Sequence, residues 1–550
     1  MTGLLQEYVA RQAETRPDAV AVVLGDSRVT YGTLDVASSR QAALLRELGC
    51  RPRDRVCLLV SKSPAAICGM LASLKAGCAY VPVDVENPAA RVELILRAVE
   101  PHAILADPSA VVLLDQLAAA GVLAPGTAIV SVIDEPLSGE RFESAASASD
   151  WSGLDEIHEP ALSSEEVAHI LFTSGSTGTP KGVMITHANV IHFVEWATRY
   201  FNATCSDRFS GHPPLHFDLS TYDIYGAFRV GAELHLVPPG QSSLPHLLAE
   251  FIRSSRVTRW FAVPSAYALL AAFDAVRHGD FPSLRHALWC GEVLPAPVLR
   301  YWMERLPHVA FTNLYGPTEA TIASSFYTVR EPPQSDEPVP IGSAWEGGEL
   351  LVLDERMRPV PPGEVGEIYI GGVGLSPGYW RDPERTRQAF VPWPGRKGER
   401  LYRTGDLGRV DDSGLVHFLG RRDSQVKHRG YRIELGEIET ALGALEGVRE
   451  CAVVATESEG FEGTTLCAAY ATTPGASLDE RALRRALRER LPSYMIPSAW
   501  LAFEELPKNA NGKIDRPLLR QRFRELRGNR LQAVERARAD TSGETAGAHR

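Results

Sequence analysis

His169-Ile170-Leu171-Phe172-Thr173-Ser174-Gly175-Ser176-Thr177-Gly178-Thr179-Pro180-Lys181-Gly182 joins a short apolar run to a loop of hydroxyl and glycine residues that closes on a lysine. An apolar run of this length, bounded by turn residues, reads as a buried strand. Glycine lets a ligand approach the backbone, amides and hydroxyls donate to anionic oxygens, and lysine adds charge. The combination suits a polyphosphate. It is not the Walker spacing G-x-x-x-x-G-K-[ST], because Pro180 precedes Lys181 and Gly182 follows it. The bland alternative is a solvated Ser/Thr/Gly surface loop. The similar stretch Gly371–Gly378 fails the dinucleotide spacing and reads as turn chemistry.

Outward from this loop, β-rich runs alternate with helical stretches. Ala19–Leu24, Arg55–Val60, Ala79–Val83 and His102–Ala106 read as strands, with Leu34–Leu48, Pro64–Leu74 and Ala89–Val99 as helices between them. A second run follows: strand His169–Phe172, helix Ala188–Tyr200, strand Glu233–Val237, helix Leu244–Ile252, strand Thr258–Ala262, helix Ser265–Phe273 and strand His286–Cys290. The alternation predicts an α/β fold of two layered lobes with largely parallel pairing. From Glu349 strands dominate (Glu349–Leu353, Glu367–Ile370, Leu415–Leu419), which predicts a β-rich subdomain. After Arg422 comes a small α+β unit: helix Leu435–Leu445, strands Glu450–Thr456 and Thr465–Ala471, helix Leu478–Leu491 and strand Ala499–Phe503. The expected domains are an N-terminal core over 1–422, a mobile C-terminal domain over 423–526 and a fraying tail over 527–550. Asp134–Glu165, rich in Ser, Asp, Glu and Ala, reads as a linker or surface excursion.

Composition narrows the function. The chain has 550 residues, 44% apolar and 23% charged, which is ordinary for a globular protein and excludes general disorder. Lys plus Arg is 57 against 68 Asp plus Glu, a formal charge of −11, which argues against a nucleic-acid partner. We expect no signal peptide, no membrane span and a cytoplasmic protein. The eight cysteines form no C-x-x-C pair and the histidines form no H-E-x-x-H, so free thiols and no structural zinc site are expected.

Three further motifs carry chemistry. In Asn313-Leu314-Tyr315-Gly316-Pro317-Thr318-Glu319, the tyrosine suits stacking on a base, the threonine a phosphate, and the glutamate Mg²⁺. Tyr402–Leu407 offers the Asp406 carboxylate to paired ribose hydroxyls. The stretch Gly420–Glu439 leads into the C-terminal unit, and Asn511-Gly512-Lys513 places a lysine after a tight turn.

With Val29-Thr30-Tyr31, Leu74–Asp84, Phe217-Asp218-Leu219-Ser220, Gly366-Glu367-Ile368 and Leu491–Pro497, these motifs stand in the order found in the adenylate-forming superfamily. The chain resembles that superfamily, which includes acyl-CoA synthetases and luciferase. Within it, the chain resembles the amino-acid adenylation domains of non-ribosomal peptide synthetases. The resemblance implies ATP and Mg²⁺ as cofactors, an aminoacyl-AMP intermediate, and transfer to a phosphopantetheine thiol in natural-product or antibiotic biosynthesis.

It implies residue roles as well. Thr173, Ser174, Gly175, Ser176, Thr177, Gly178 and Lys181 would hold the outer phosphates. Glu319 would hold the metal, and Thr173, Lys181, Glu319 and Lys513 would be catalytic. Asn313, Gly316 and Thr318 would also touch nucleotide. Gly291, Glu292 and Tyr315 would frame adenine, Phe418 would pack near the nucleoside, and Asp406 and Arg421 would grip ribose. Lys513 would reach the substrate carboxylate and α-phosphate. Asp423 would be the hinge about which the C-terminal domain turns between an adenylating and a thioester-forming pose.

The resemblance also implies a substrate pocket of Asp218, Leu219, Tyr222, Ala262, Leu288, Cys290, Leu314, Ile322, Ala323 and Lys513. Asp218 would pair with the α-ammonium. Between the charged ends the lining is apolar, so an uncharged L-amino acid of small to medium size is expected, such as Ala, Cys, Pro or Val. No carrier motif fits after the C-terminal unit, so a separate carrier protein is the expected partner. Arg429, Arg432 and Arg481–Arg490 are candidate docking residues for it, the last reading equally well as a solvated helix face. An acyl-CoA ligase and an adenylate-dependent amide ligase are the alternatives within the superfamily. A non-catalytic nucleotide-binding protein is the alternative outside it.

Overall fold

The computed structural model describes residues 3–151, 154, 160–175, 178–457, 464–473, 476, 478–509 and 513–526. Two sheets build the N-terminal core. One has six strands in the order Ala128–Ser131, Ala103–Ala106, Arg55–Leu59, Ala79–Pro82, Val167–Thr173 and Lys181–Thr186. The other has nine, running from Ser343–Ala344 through Ser325–Val329, Ala310–Tyr315, His286–Trp289, Arg259–Ala262, Arg208–Phe209, Glu233–His235 and Val20–Leu24 to Ser27–Thr30. Most neighbours in both are parallel. Helices such as Tyr31–Glu47, Pro64–Lys75 and His187–Tyr200 bury apolar faces against them.

The two lobes are real, but the chain does not fill them in sequence. Val20–Leu24 pairs in parallel with Glu233–His235, so the first strand belongs to the later sheet. Val167–Thr173 pairs in parallel with Ala79–Pro82, so the strand feeding the glycine-rich loop belongs to the earlier one. That loop returns as the antiparallel strand Lys181–Thr186, with Thr173 opposite Lys181. It is therefore a hairpin tip rather than a strand-to-helix turn. Asp134–Glu165 is more than a linker, since Leu137 and Trp151 are buried in the core.

The β-rich subdomain is a five-stranded sheet of Gly348–Leu353, Val365–Gly372, Arg400–Val410, Phe390–Pro392 and Val416–Arg421. Pairing changes after Arg421. Gln425–His428 and Tyr431–Glu434 form a separate two-stranded hairpin. Val448–Glu457, Thr464–Thr472 and Ala499–Phe503 then form a three-stranded sheet packed with helices Leu435–Gly443 and Glu480–Arg488. The expected tail over 527–550 lies outside the described residues.

Candidate active site

In open parallel sheets a ligand crevice forms beyond the carboxyl ends of the strands. Here the cleft has a cavity volume of about 100 Å³ and collects residues from three such ends and from the C-terminal hairpin. Thr173 and Ser174 come from the glycine-rich tip, Cys290 and Gly291 follow His286–Trp289, and Gly316, Pro317 and Thr318 follow Ala310–Tyr315. A Cβ on Gly316 would lie 2.6 Å from the Ala323 Cα, so only glycine lets this turn pack.

Asp218 opens the helix Asp218–Val230 and lines the cleft. A helix N-terminus favours a carboxylate. Burial nevertheless pushes the Asp218 carboxyl up to about 6, against a hydrogen bond from Thr318 and the Leu219 amide. A buried carboxyl raised in this way lacks a full counter-charge and can accept one from a ligand. The sign of the pH dependence follows. For a ligand ammonium, kcat/KM is expected to fall about tenfold per pH unit below about 6 and to level off above it. A profile flat from pH 5 to 8 would show that Asp218 is not the ammonium partner.

Glu319 is fully buried and bound on all sides. Lys181 donates to its Oε1 at 2.8 Å, the Tyr379 hydroxyl to the same oxygen at 2.7 Å, and Arg432 to its Oε2 at 2.7 Å. Burial alone would raise the Glu319 carboxyl, but the Arg432 and Lys181 charges hold it well below the usual carboxylate range. Lys181 in turn has its pKa lowered by burial and by Arg432. A permanently charged carboxylate beside a phosphate-type loop fits Mg²⁺, which takes one or two carboxylates and completes its shell with phosphate and water. Among the described residues the buried Thr173 hydroxyl has no hydrogen-bond partner, which fits a phosphate oxygen. Among the described residues no group of three or more His, Cys, Asp and Glu could hold a metal by itself.

A second polar group stands beside the cleft. The Tyr315 hydroxyl donates to Asp406 Oδ2 at 2.5 Å, and Arg421 pairs with Asp406 Oδ1 across the Arg400–Val410 and Val416–Arg421 ladder. Phe418 lies behind Tyr315, ring centroids 6.4 Å apart. Asp423 accepts two hydrogen bonds from Arg421, each 2.7 Å, at the junction where the subdomain sheet ends.

Several expected residues stand elsewhere. Asn313 does not line the cleft; its side-chain amide donates to the Pro340 carbonyl at 2.8 Å. Glu292 turns away to accept from the Ser265 amide at 3.1 Å. Gly178 shapes the tip, its amide donating to the Gly175 carbonyl at 2.9 Å. Ser176 and Thr177 lie outside the described residues. Of the expected pocket, Asp218, Leu219 and Cys290 reach the cleft. Tyr222, Leu288, Leu314, Ile322 and Ala323 are buried in the same core cluster as Leu219 and Cys290, each no more than 2% exposed, whereas Ala262 packs in a different cluster with Trp260 and Trp289.

Lys513 is not brought to the cleft. It is exposed, and its amide bonds Asn509 Oδ1 at 3.1 Å. The cleft is lined instead by the hairpin of Gln425–His428 and Tyr431–Glu434. Arg429 and Gly430 both have positive φ (53° and 82°), forming the two-residue turn whose twist suits a tight hairpin. Within it Val426 and Ile433 face the C-terminal core, while the cross-strand pair Lys427 and Arg432 faces the cleft. Lys427 lies 5.4 Å from the Tyr315 ring centroid. Arg432, weighed as a carrier-docking residue, points inward onto Glu319 instead. At the mouth, Phe217 meets Tyr431 edge-on at 4.7 Å, and Tyr431 stacks on Tyr494 at 3.5 Å. Sequence reasoning assigned no site role to Lys427, Tyr431 or Tyr494. The alternation Val426, Lys427 against Ile433, Arg432 was the available signal.

The AMP-binding enzyme family matches residues 9–380, and the AMP-binding enzyme C-terminal domain matches residues 437–513. The chain belongs to the AMP-binding enzymes. It is 35% identical to the L-proline--[L-prolyl-carrier protein] ligase of Streptomyces coelicolor, over 92% of this chain and 94% of that one. It is 33% identical to tyrocidine synthase 3 of Brevibacillus parabrevis, over 94% of this chain but only 8% of that protein. The adenylation domain AlmE of Vibrio cholerae, solved with glycyl-adenosine-5'-phosphate, superposes with a TM-score of 0.82 at 26% identity, covering 96% of this chain and 98% of that one. Among the described residues no helix is long and apolar enough to cross a membrane.

Proposed function

We propose that the protein activates an uncharged L-α-amino acid of small to medium size as aminoacyl-AMP and passes it to the phosphopantetheine thiol of a separate carrier protein. L-Proline is the first candidate, on the full-length likeness to a prolyl-carrier ligase. The observation that carries the substrate class is Asp218, a carboxyl in the cleft raised by burial, with the buried apolar residues Leu219 and Tyr222 following it on its helix. A plain acid would leave that carboxylate uncompensated, and a charged side chain would be desolvated against those apolar residues.

In the first step a substrate carboxylate oxygen bonds the α-phosphorus of ATP, the α–β bridging P–O bond breaks, and pyrophosphate leaves with the electron pair. The glycine-rich tip and Lys181 hold the outer phosphates, while Asp406 and Arg421 orient the ribose. Glu319 would hold Mg²⁺, which would supply neutralisation of phosphate charge. Lys513 attends the α-phosphate. The present pose, with the hairpin in the cleft and Lys513 outside, is read as the thioester-forming one, reached by rotation about Asp423. There a carrier thiolate attacks the acyl carbon and AMP departs.

Amino-acid-dependent exchange of labelled pyrophosphate into ATP tests the reading. Exchange is expected with proline and other small uncharged L-amino acids, and at background with fatty, aryl and charged substrates. Preference for plain acids would replace this reading with an acyl-CoA ligase. Product analysis with and without carrier separates carrier loading from amide formation.

A further inference from the structure

The contacts between the C-terminal unit and the phosphate tip follow a charge pattern. Arg432, a cation, donates to Glu319 at 2.7 Å. Glu437, an anion, accepts from the Gly175 amide at 3.3 Å, and Arg91 backs it in a buried ion pair. The Ser174 hydroxyl donates to the Arg432 carbonyl at 2.5 Å. Positive charge thus sits on a carboxylate suited to a metal. Negative charge sits on a loop amide suited to an outer phosphate.

We propose that Arg432 and Glu437 are positioning residues that hold the transfer pose by standing in for the metal and the outer phosphates, so that this pose and bound MgATP exclude each other. The inference rests on the adenylation reading above. Buried charges are tolerated only when paired, and Glu319 and the tip need partners in either pose. Before the first step those partners are the metal and the phosphates. Once pyrophosphate and metal have gone, the C-terminal unit brings its own. Two sets of charges competing for the same atoms order the half-reactions without any further signal. A ligand that binds only one of two poses has its apparent affinity lowered by the fraction of protein in that pose.

Ordinary interdomain adhesion makes a different forecast. Contacts that merely glue the pose would affect every ligand of the cleft alike, whereas a stand-in affects only ligands carrying outer phosphates and metal. Isothermal titration of the full chain without amino acid, so that nothing turns over, distinguishes the two. MgATP and adenosine are titrated into the wild type, Arg432→Gln, Glu437→Ala, the double variant and the conservative Arg432→Lys. The double variant is expected to bind MgATP about tenfold more tightly, with adenosine affinity changed less than about twofold and Arg432→Lys close to wild type. Arg432→Gln alone should show a smaller tightening of MgATP, which keeps the test available if the double variant does not fold. Unchanged MgATP affinity, or equal tightening of adenosine, would overturn the proposal while leaving adenylation standing. Failure of the wild type to bind MgATP at all would remove the adenylation reading, and this inference with it.

Discussion

Asp218→Ala is expected to lower kcat/KM for the amino acid by about 30-fold to several-thousand-fold. That range corresponds to the ~2–5 kcal/mol lost when one partner of a buried, hydrogen-bonded charge pair is removed. Folding should not suffer. Burial raises the Asp218 carboxyl from 3.8 to about 6, so the folded state holds that proton more tightly than the unfolded chain does. This group's contribution to stability therefore declines as pH rises through the window between those values, and at neutral pH the charge is a cost that alanine removes. A melting temperature equal to or above that of the wild type, with amino-acid-dependent exchange reduced by that factor, is the expected pair of results. Unchanged exchange would dismiss Asp218 as the ammonium partner. Lost folding would mean that its hydrogen bonds to Thr318 and the Leu219 amide outweigh its desolvation.

Lys513→Ala is expected to depress the adenylation kcat about 10²–10³-fold, the usual cost of removing one donor from a developing anionic charge. Thioester transfer from preformed aminoacyl-adenylate should be nearly unaffected, because in the observed pose Lys513 is exposed and the cleft is lined instead by Lys427 and Arg432. Rapid-quench measurement of each half-reaction separates the two. Equal losses in both would mean that Lys513 acts through the stability of its own turn, and the two-pose account would fail.

Much of the fold is legible in local pattern. Ala89–Val99 and Ala499–Phe503 have the bounds that periodicity predicts, and Pro64–Lys75 and Val20–Leu24 differ by one residue at an end. Sheet membership is not legible in this way, because it depends on partners far along the chain. Nothing near Val20 announces a pairing with Leu234 and His235. The helix Asp218–Val230 also lacks a local signature. Its Thr, Tyr, Ile, Phe, Val and Gly residues are weak helix formers, and it is buried nearly all round, so tertiary packing decides it. Of the motif residues, Asp218, Asp406 and Arg421 line the cleft, each held by a helix or strand whose place local pattern can suggest. Lys513 is exposed and outside the cleft, and no local spacing encodes where the C-terminal unit places it. The inward face of Lys427 and Arg432 follows from the same placement.

The crossing of the first strand into the second sheet has a consequence for how the molecule comes into being. A ribosome releasing the chain delivers Val20–Leu24 long before its neighbour Glu233–His235 exists, and the earlier sheet waits equally for Val167–Thr173. Neither lobe can therefore mature as an independent unit during synthesis. The two are stitched together by elements exchanged across the sequence, and contacts of such high order make for slow, concerted assembly.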